Sequence, residues 1–116
     1  MAKLPIVEDR VIQTDWGACV GHRAQWDGGQ YCALLTNKGI VGCGAYDVAC
    51  LETFGQRVAI ARGTPEHPLV HPEDLFGARI VALTSPARDA GIREGMTGIE
   101  ALRVLLELDS EASADN

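Results

Sequence analysis

Apolar and polar residues alternate with period two through the first forty or so positions, and the spacing then turns helical. Residues 6 to 14 are rich in Val and Ile and read as a strand, and residues 18 to 26 read as a second. Asp27-Gly28-Gly29 is a hairpin turn signal, because glycine takes positive φ without steric cost. Tyr31 to Thr36 forms a third apolar run. Asn37-Lys38-Gly39 marks another tight turn, and Ile40 to Cys43 reads as a short fourth strand. Three short connections in succession predict an antiparallel meander.

Val48, Leu51 and Phe54 recur at helical spacing, which predicts a helix over Tyr46 to Phe54 with Gly55 as its C-cap. Arg57 to Ala61 alternates again and reads as a strand. Gly63 to Pro72 holds three prolines and two histidines and reads as a loop. Arg79 to Leu83 is β-branched and apolar, hence a buried strand. Ser85-Pro86 predicts a short helix capped by Ser85 and ended by Gly91. Thr97 and Glu100 fit a capping box, and the helix that follows puts Ile99, Leu102, Leu105 and Leu106 on one face. Residues 109 to 116 are small, polar and acidic and read as a disordered tail. The expected fold is α/β of the α+β type. It is a mixed, largely antiparallel sheet of five to six strands with two to three packed helices, in a single domain over residues 1 to 108.

Composition narrows the function classes. With 116 residues, 47% of them apolar, the chain suits one ordinary core. The net charge is -6, and Asp109, Glu111 and Asp115 of the tail carry three of those negatives. No cluster of Lys and Arg forms the footprint that a phosphate backbone needs, so no nucleic-acid partner is expected. No run approaches the roughly 18 apolar residues of a spanning helix, and the N-terminus lacks a signal-peptide stretch. The expected location is cytoplasmic, with no membrane partner. The four cysteines, Cys19, Cys32, Cys43 and Cys50, make no C-x-x-C pair and read as free thiols. No cofactor is expected.

The candidate chemistry centres on Gly42-Cys43-Gly44, where a thiol sits at a strand-to-helix junction near the free N–H groups of a helix start. Cys43 is the expected nucleophile. Gly42 and Gly44 would let a substrate approach the backbone, unless they only build a tight turn. His22 is the expected base, placed opposite Leu34 by a turn centred on residue 28. Asp47 reads as the third helical residue after a Gly44 N-cap, or as a group that orients a histidine or holds a substrate donor. Arg62 and Arg23 are candidate carboxylate clamps, as is Arg57. His67 and His71 lie four apart, but Pro68 and Pro72 argue against a helix that would align them, and no metal centre is expected.

Two blocks resemble the YunC-like family, a bacterial and archaeal domain of unknown function. They are Gly39-Ile40-Val41-Gly42-Cys43-Gly44-Ala45-Tyr46-Asp47-Val48 and Gly91-Ile92-Arg93-Glu94-Gly95-Met96-Thr97-Gly98-Ile99-Glu100-Ala101-Leu102. Between them, Arg57 to Gly63 and Glu73 to Phe76 fall where the family has similar blocks. The resemblance spans roughly residues 6 to 106. It implies a compact α/β domain on a mixed sheet and no particular reaction.

Two functions fit these residues. One is a thiol-dependent enzyme acting on a small polar metabolite through Cys43, His22 and an arginine. The other is a non-catalytic ligand-binding or assembly module in which Gly42-Cys43-Gly44 is a structural turn. In the first, Cys43 lines an open pocket and has a polar partner; in the second, apolar atoms enclose it. A small-molecule ligand or substrate is the expected partner. A homo-oligomer is expected from the open edges of a meander and from Trp16 and Trp26, residues of the type enriched at interfaces.

Overall fold

A computed structural model describes the backbone of residues 3–114 and the side chains of residues 3–110. Strands β1 (Ile6–Thr14), β2 (Gly17–Trp26), β3 (Gly29–Thr36) and β4 (Gly39–Gly42) form the expected antiparallel meander. Helix α1 (Val48–Thr53) then carries the chain to β5 (Val58–Arg62), which pairs parallel with β4. Strand β6 (Arg79–Leu83) pairs antiparallel with β5. The sheet therefore has six strands in chain order and is mixed, mostly antiparallel. Helices α2 (Ser85–Ala90) and α3 (Gly98–Ala114) complete an α+β fold.

One face of the sheet holds the core. Leu34, Val41, Ala59 and Ile80 point from the strands into a cluster with Ala101, Leu102, Leu105 and Leu106 of α3. The i, i+3, i+4 spacing on α3 makes this its inward stripe. A 3₁₀ turn over Pro72–Leu75 fills the rest of that face, and Leu75 is fully buried. The first residue of α3 must be glycine, because a Cβ on Gly98 would lie 1.8 Å from the Leu75 carbonyl oxygen. The opposite face carries α1 and Tyr46 and is otherwise bare over β1 and β2. Val11 there is 71% exposed.

Several local expectations change. Trp26 pairs with Gly29, so Asp27 and Gly28 alone form the hairpin loop, with Gly28 at φ +88. A two-residue loop shifts the register by one, which puts His22 opposite Ala33 and Gly21 opposite Leu34. The N-cap of α1 is Asp47, not Gly44, and that helix buries no side chain. Phe54, expected on its apolar face, is the C-cap and is exposed. Thr84, not Ser85, is the N-cap of α2. Buried Thr84 donates its hydroxyl to the Gln56 carbonyl at 2.6 Å and accepts from the Val58 N–H at 3.1 Å, while the Ser85 hydroxyl donates to Glu52. The tail expected from residue 109 is helical as far as Ala114, because helix propagation is cheap past a formed nucleus and no Gly or Pro interrupts it. Asp115 and Asn116 lie outside the described residues. The Thr97–Glu100 capping box is present: Thr97 N–H donates to Glu100 at 3.1 Å and Glu100 N–H to Thr97 Oγ1 at 3.4 Å.

Candidate functional site

Cys43 follows the last residue of β4 and continues its ladder opposite Cys32, with its N–H donating to the Cys32 carbonyl at 3.1 Å. The return bond is replaced. Cys32 N–H donates to the Cys43 sulfur at 3.4 Å. Both thiols point into the core, and Cys43 is 7% exposed. The Cys32 thiol, hydrogen-bonded to Cys43, is the main cause holding the Cys43 thiol down to about 5. Backbone N–H groups of Ala45, Cys32 and Cys43 itself act the same way, and burial opposes them. The same interaction, with burial, pushes the Cys32 thiol upward. Burial, then the nearby Cys43 charge, pushes the Tyr46 hydroxyl up to about 12.

The flanking glycines differ. A Cβ on Gly42 would meet the Tyr46 ring at 2.6 Å, so glycine here lets Tyr46 lie flat on the outer face of the sheet. A Cβ on Gly44 would meet nothing within 4 Å, and its φ is not positive.

The other residues expected at this site do not join Cys43. His22 pairs with Ala33, the neighbour of Cys32, and so projects from the opposite face of the sheet. Its Nδ1 bonds Asp9, and its Nε2 is 3.4 Å from the Tyr31 hydroxyl. Asp47 accepts from Ala49 N–H at 2.9 Å and Cys50 N–H at 3.3 Å, the bonds of a helix N-cap. Arg23 shares the core face and lies opposite Cys32, but its guanidinium is held by Glu8 at 2.7 Å and Gln25 at 3.0 Å.

Arg62 borders a groove of about 820 Å³ at the C-terminal end of β5, the same end of the sheet as Cys43, since Gly42 pairs with Ile60. Its walls include Arg62, His67, Leu69, Val70, Arg79 and Val81, and no cysteine lines it. The loop after β5 folds back to make one wall. Thr64 N–H donates to the His67 carbonyl at 3.2 Å and His67 N–H to the Thr64 carbonyl at 3.1 Å. Asp74 pins the other end of the loop by accepting from Val70 N–H at 3.1 Å and His71 N–H at 2.9 Å. Leu69 is buried and Val70 half-buried, which makes the floor apolar. A β-bulge in β6 leaves Val81 as an extra residue and aims it into the groove. His67 and His71 both border the groove, but among the described residues no group of three or more His, Cys, Asp or Glu side chains is placed to hold a metal ion. Among those residues no helix is long and apolar enough to cross a membrane.

The profile of the Domain of unknown function (DUF1805) matches residues 42–105. The chain belongs to the DUF1805 family. The DUF1805 match begins at Gly42 and takes in Cys43, both groove arginines and the Thr97–Glu100 box, and it leaves β1 to β3 outside. A solved structure of similar fold is the crystal structure of a protein of unknown function, TA1206 from Thermoplasma acidophilum. It has a TM-score of 0.77 at 15% identity and covers 90% of this chain and 98% of that one. That likeness of fold takes in the meander as well as the residues of the DUF1805 match. No curated protein matches the chain.

The proline-rich loop was legible as a loop, but its part in a groove was not. Arg79 gave no sequence signal beyond a charge at a strand start. Its importance comes from standing opposite Arg62 across β5 and β6.

Proposed function

We propose that this DUF1805 domain is a non-catalytic small-ligand-binding module whose ligand occupies the groove between the 63–71 loop and β6. The observation that carries this reading is that no cysteine lines the cavity. Cys43 is enclosed in the core, whereas the groove of about 820 Å³ has the size and mostly apolar lining of a small-molecule site. Gly42-Cys43-Gly44 is then a structural turn that seats Tyr46 on one side of the sheet and a hydrogen-bonded thiol pair on the other. A thiol-dependent enzyme would need Cys43 open to substrate and His22 on its own face. The two glycine-rich blocks support placing the chain with YunC-like domains. Free cysteines at all four positions support a reducing compartment such as the cytoplasm.

The test is a titration with the neutral probe 3-phenylpropanol, followed by methyl and amide chemical shifts. Shifts concentrated at Leu69, Val70 and Val81 are expected. Shifts concentrated around Val41 and Cys43, or none at the groove, would contradict the proposal.

A further inference from the structure

Arg62 and Arg79 are direct cross-strand partners at the open end of β5 and β6, and both face the groove. Like charges placed opposite one another destabilise a sheet, so this pair needs a reason. Other basic side chains of the sheet have carboxylate partners. Arg10 bonds Glu73 and Arg23 bonds Glu8. Among the described residues, Arg62 and Arg79 make no ion pair within 4.0 Å. Arg79 is nevertheless held in place, because one of its amino groups donates to the Gly95 carbonyl at 2.9 Å. That leaves its other donors, and those of Arg62, without a protein acceptor among the described residues. The apolar surface of Leu69, Val70 and Val81 adjoins them in the same groove.

We infer that the groove binds a small monocarboxylate with an apolar body, its carboxylate gripped between Arg62 and Arg79. This rests on the groove being the ligand site. A guanidinium presents paired N–H donors that match the two oxygens of a carboxylate, and one bound anion between two such forks relieves their mutual repulsion. Glu66 and Asp74 also border the groove, and the chain carries a net charge of -6. Those negatives weigh more heavily against a dianionic phosphate than against a single carboxylate. The apolar walls are suited to an aliphatic or aromatic body, which they bury while the charged head remains at the strand ends.

The test compares 3-phenylpropionate with the isosteric alcohol 3-phenylpropanol and with 3-phenylpropyl phosphate, by chemical-shift titration of the intact protein. The acid is expected to bind at least tenfold more tightly than the alcohol. Arg62→Gln and Arg79→Gln should each weaken the acid far more than the alcohol and so remove most of that preference, while amide shifts outside the groove stay in place and show that the variants keep their fold. Equal affinity of acid and alcohol at the groove would overturn the arginine clamp and leave the ligand groove standing. Groove shifts from none of the probes would overturn both. Tighter binding of the phosphate than of the acid would overturn the monocarboxylate assignment. Should either variant lose alcohol binding, Arg62→Lys, which keeps the charge but loses the fork, must still weaken the acid selectively, and failure to do so overturns the clamp.

Discussion

At the scale of the residue, the decisive contrast is between two kinds of unusual group. Cys43 is perturbed because it is enclosed: a sulfur facing the Cys32 thiol and three backbone N–H groups is stabilised as thiolate even while burial opposes its charge. Arg62 and Arg79 are unusual because they stand directly opposite each other across two strands with no ion pair to either among the described residues. A perturbed thiol is therefore not in itself a reactive one, since reactivity also needs access. The thiol pair makes a stability prediction. Cys43 titrates near 5 in the folded chain, below the ordinary thiol range it returns to on unfolding. Between those values the unfolded chain binds more protons than the folded one, so the pair's contribution rises with pH from about 5 and is lost as pH falls back through it. Above the ordinary thiol range the raised Cys32 reverses the sign, because the folded chain then keeps a proton that the unfolded one gives up. Urea midpoints at pH 5, 7 and 8.5 for wild type and Cys43→Ser should differ increasingly as pH rises. A constant difference would show that Cys43 carries no charge in the folded state. The expected pairing of Cys43 with His22 failed on a single residue of register, which the length of one hairpin loop decided.

At the scale of the element, most of the fold was legible. The turn glycines located the four strands of the meander, because each is joined to the next by a short turn with a local signature, and alternation over Arg57 to Ala61 and the β-branched run Arg79 to Leu83 located β5 and β6. The capping box of α3 was legible for the same reason. The caps of α1 and α2 were each misplaced because polar or glycine residues stand at neighbouring positions, and the choice between them depends on where the preceding strand ends. The groove was illegible because it is made by tertiary events: the loop folding back over Gly63, the β6 bulge, and the β5–β6 register that opposes two arginines. The strand-to-helix turn gives a sharp mutational contrast. Gly42→Ala forces a Cβ into the Tyr46 ring and should cost about 1–3 kcal/mol, the range for overpacking a filled site. Gly44→Ala points into open space and should change stability by less than about 0.5 kcal/mol. Chemical denaturation measures both, and equal effects would contradict the packing role assigned to Gly42.

At the scale of the whole molecule, the sheet is covered on one face and largely bare on the other. Val7, Val11 and Val20 on the bare face and Trp26 at its end are exposed, and β1 is an open edge nine residues long. These features motivate the expected homo-oligomer, most simply a dimer that covers the bare face. Light scattering over a dilution series should return a dimer mass at micromolar concentration, and a monomer mass there would remove the expectation. The groove lies at the opposite end of the sheet from β1, so ligand binding and assembly would use separate surfaces. Whether function resides in the groove or at the thiol is tested most directly by mapping alkylation of the native protein by iodoacetamide at neutral pH. Exposed Cys50 should be modified first, and Cys43 should remain protected until the chain unfolds. Modification of Cys43 ahead of Cys50 in the native state would contradict the ligand-binding module and return the thiol to the centre of the chemistry.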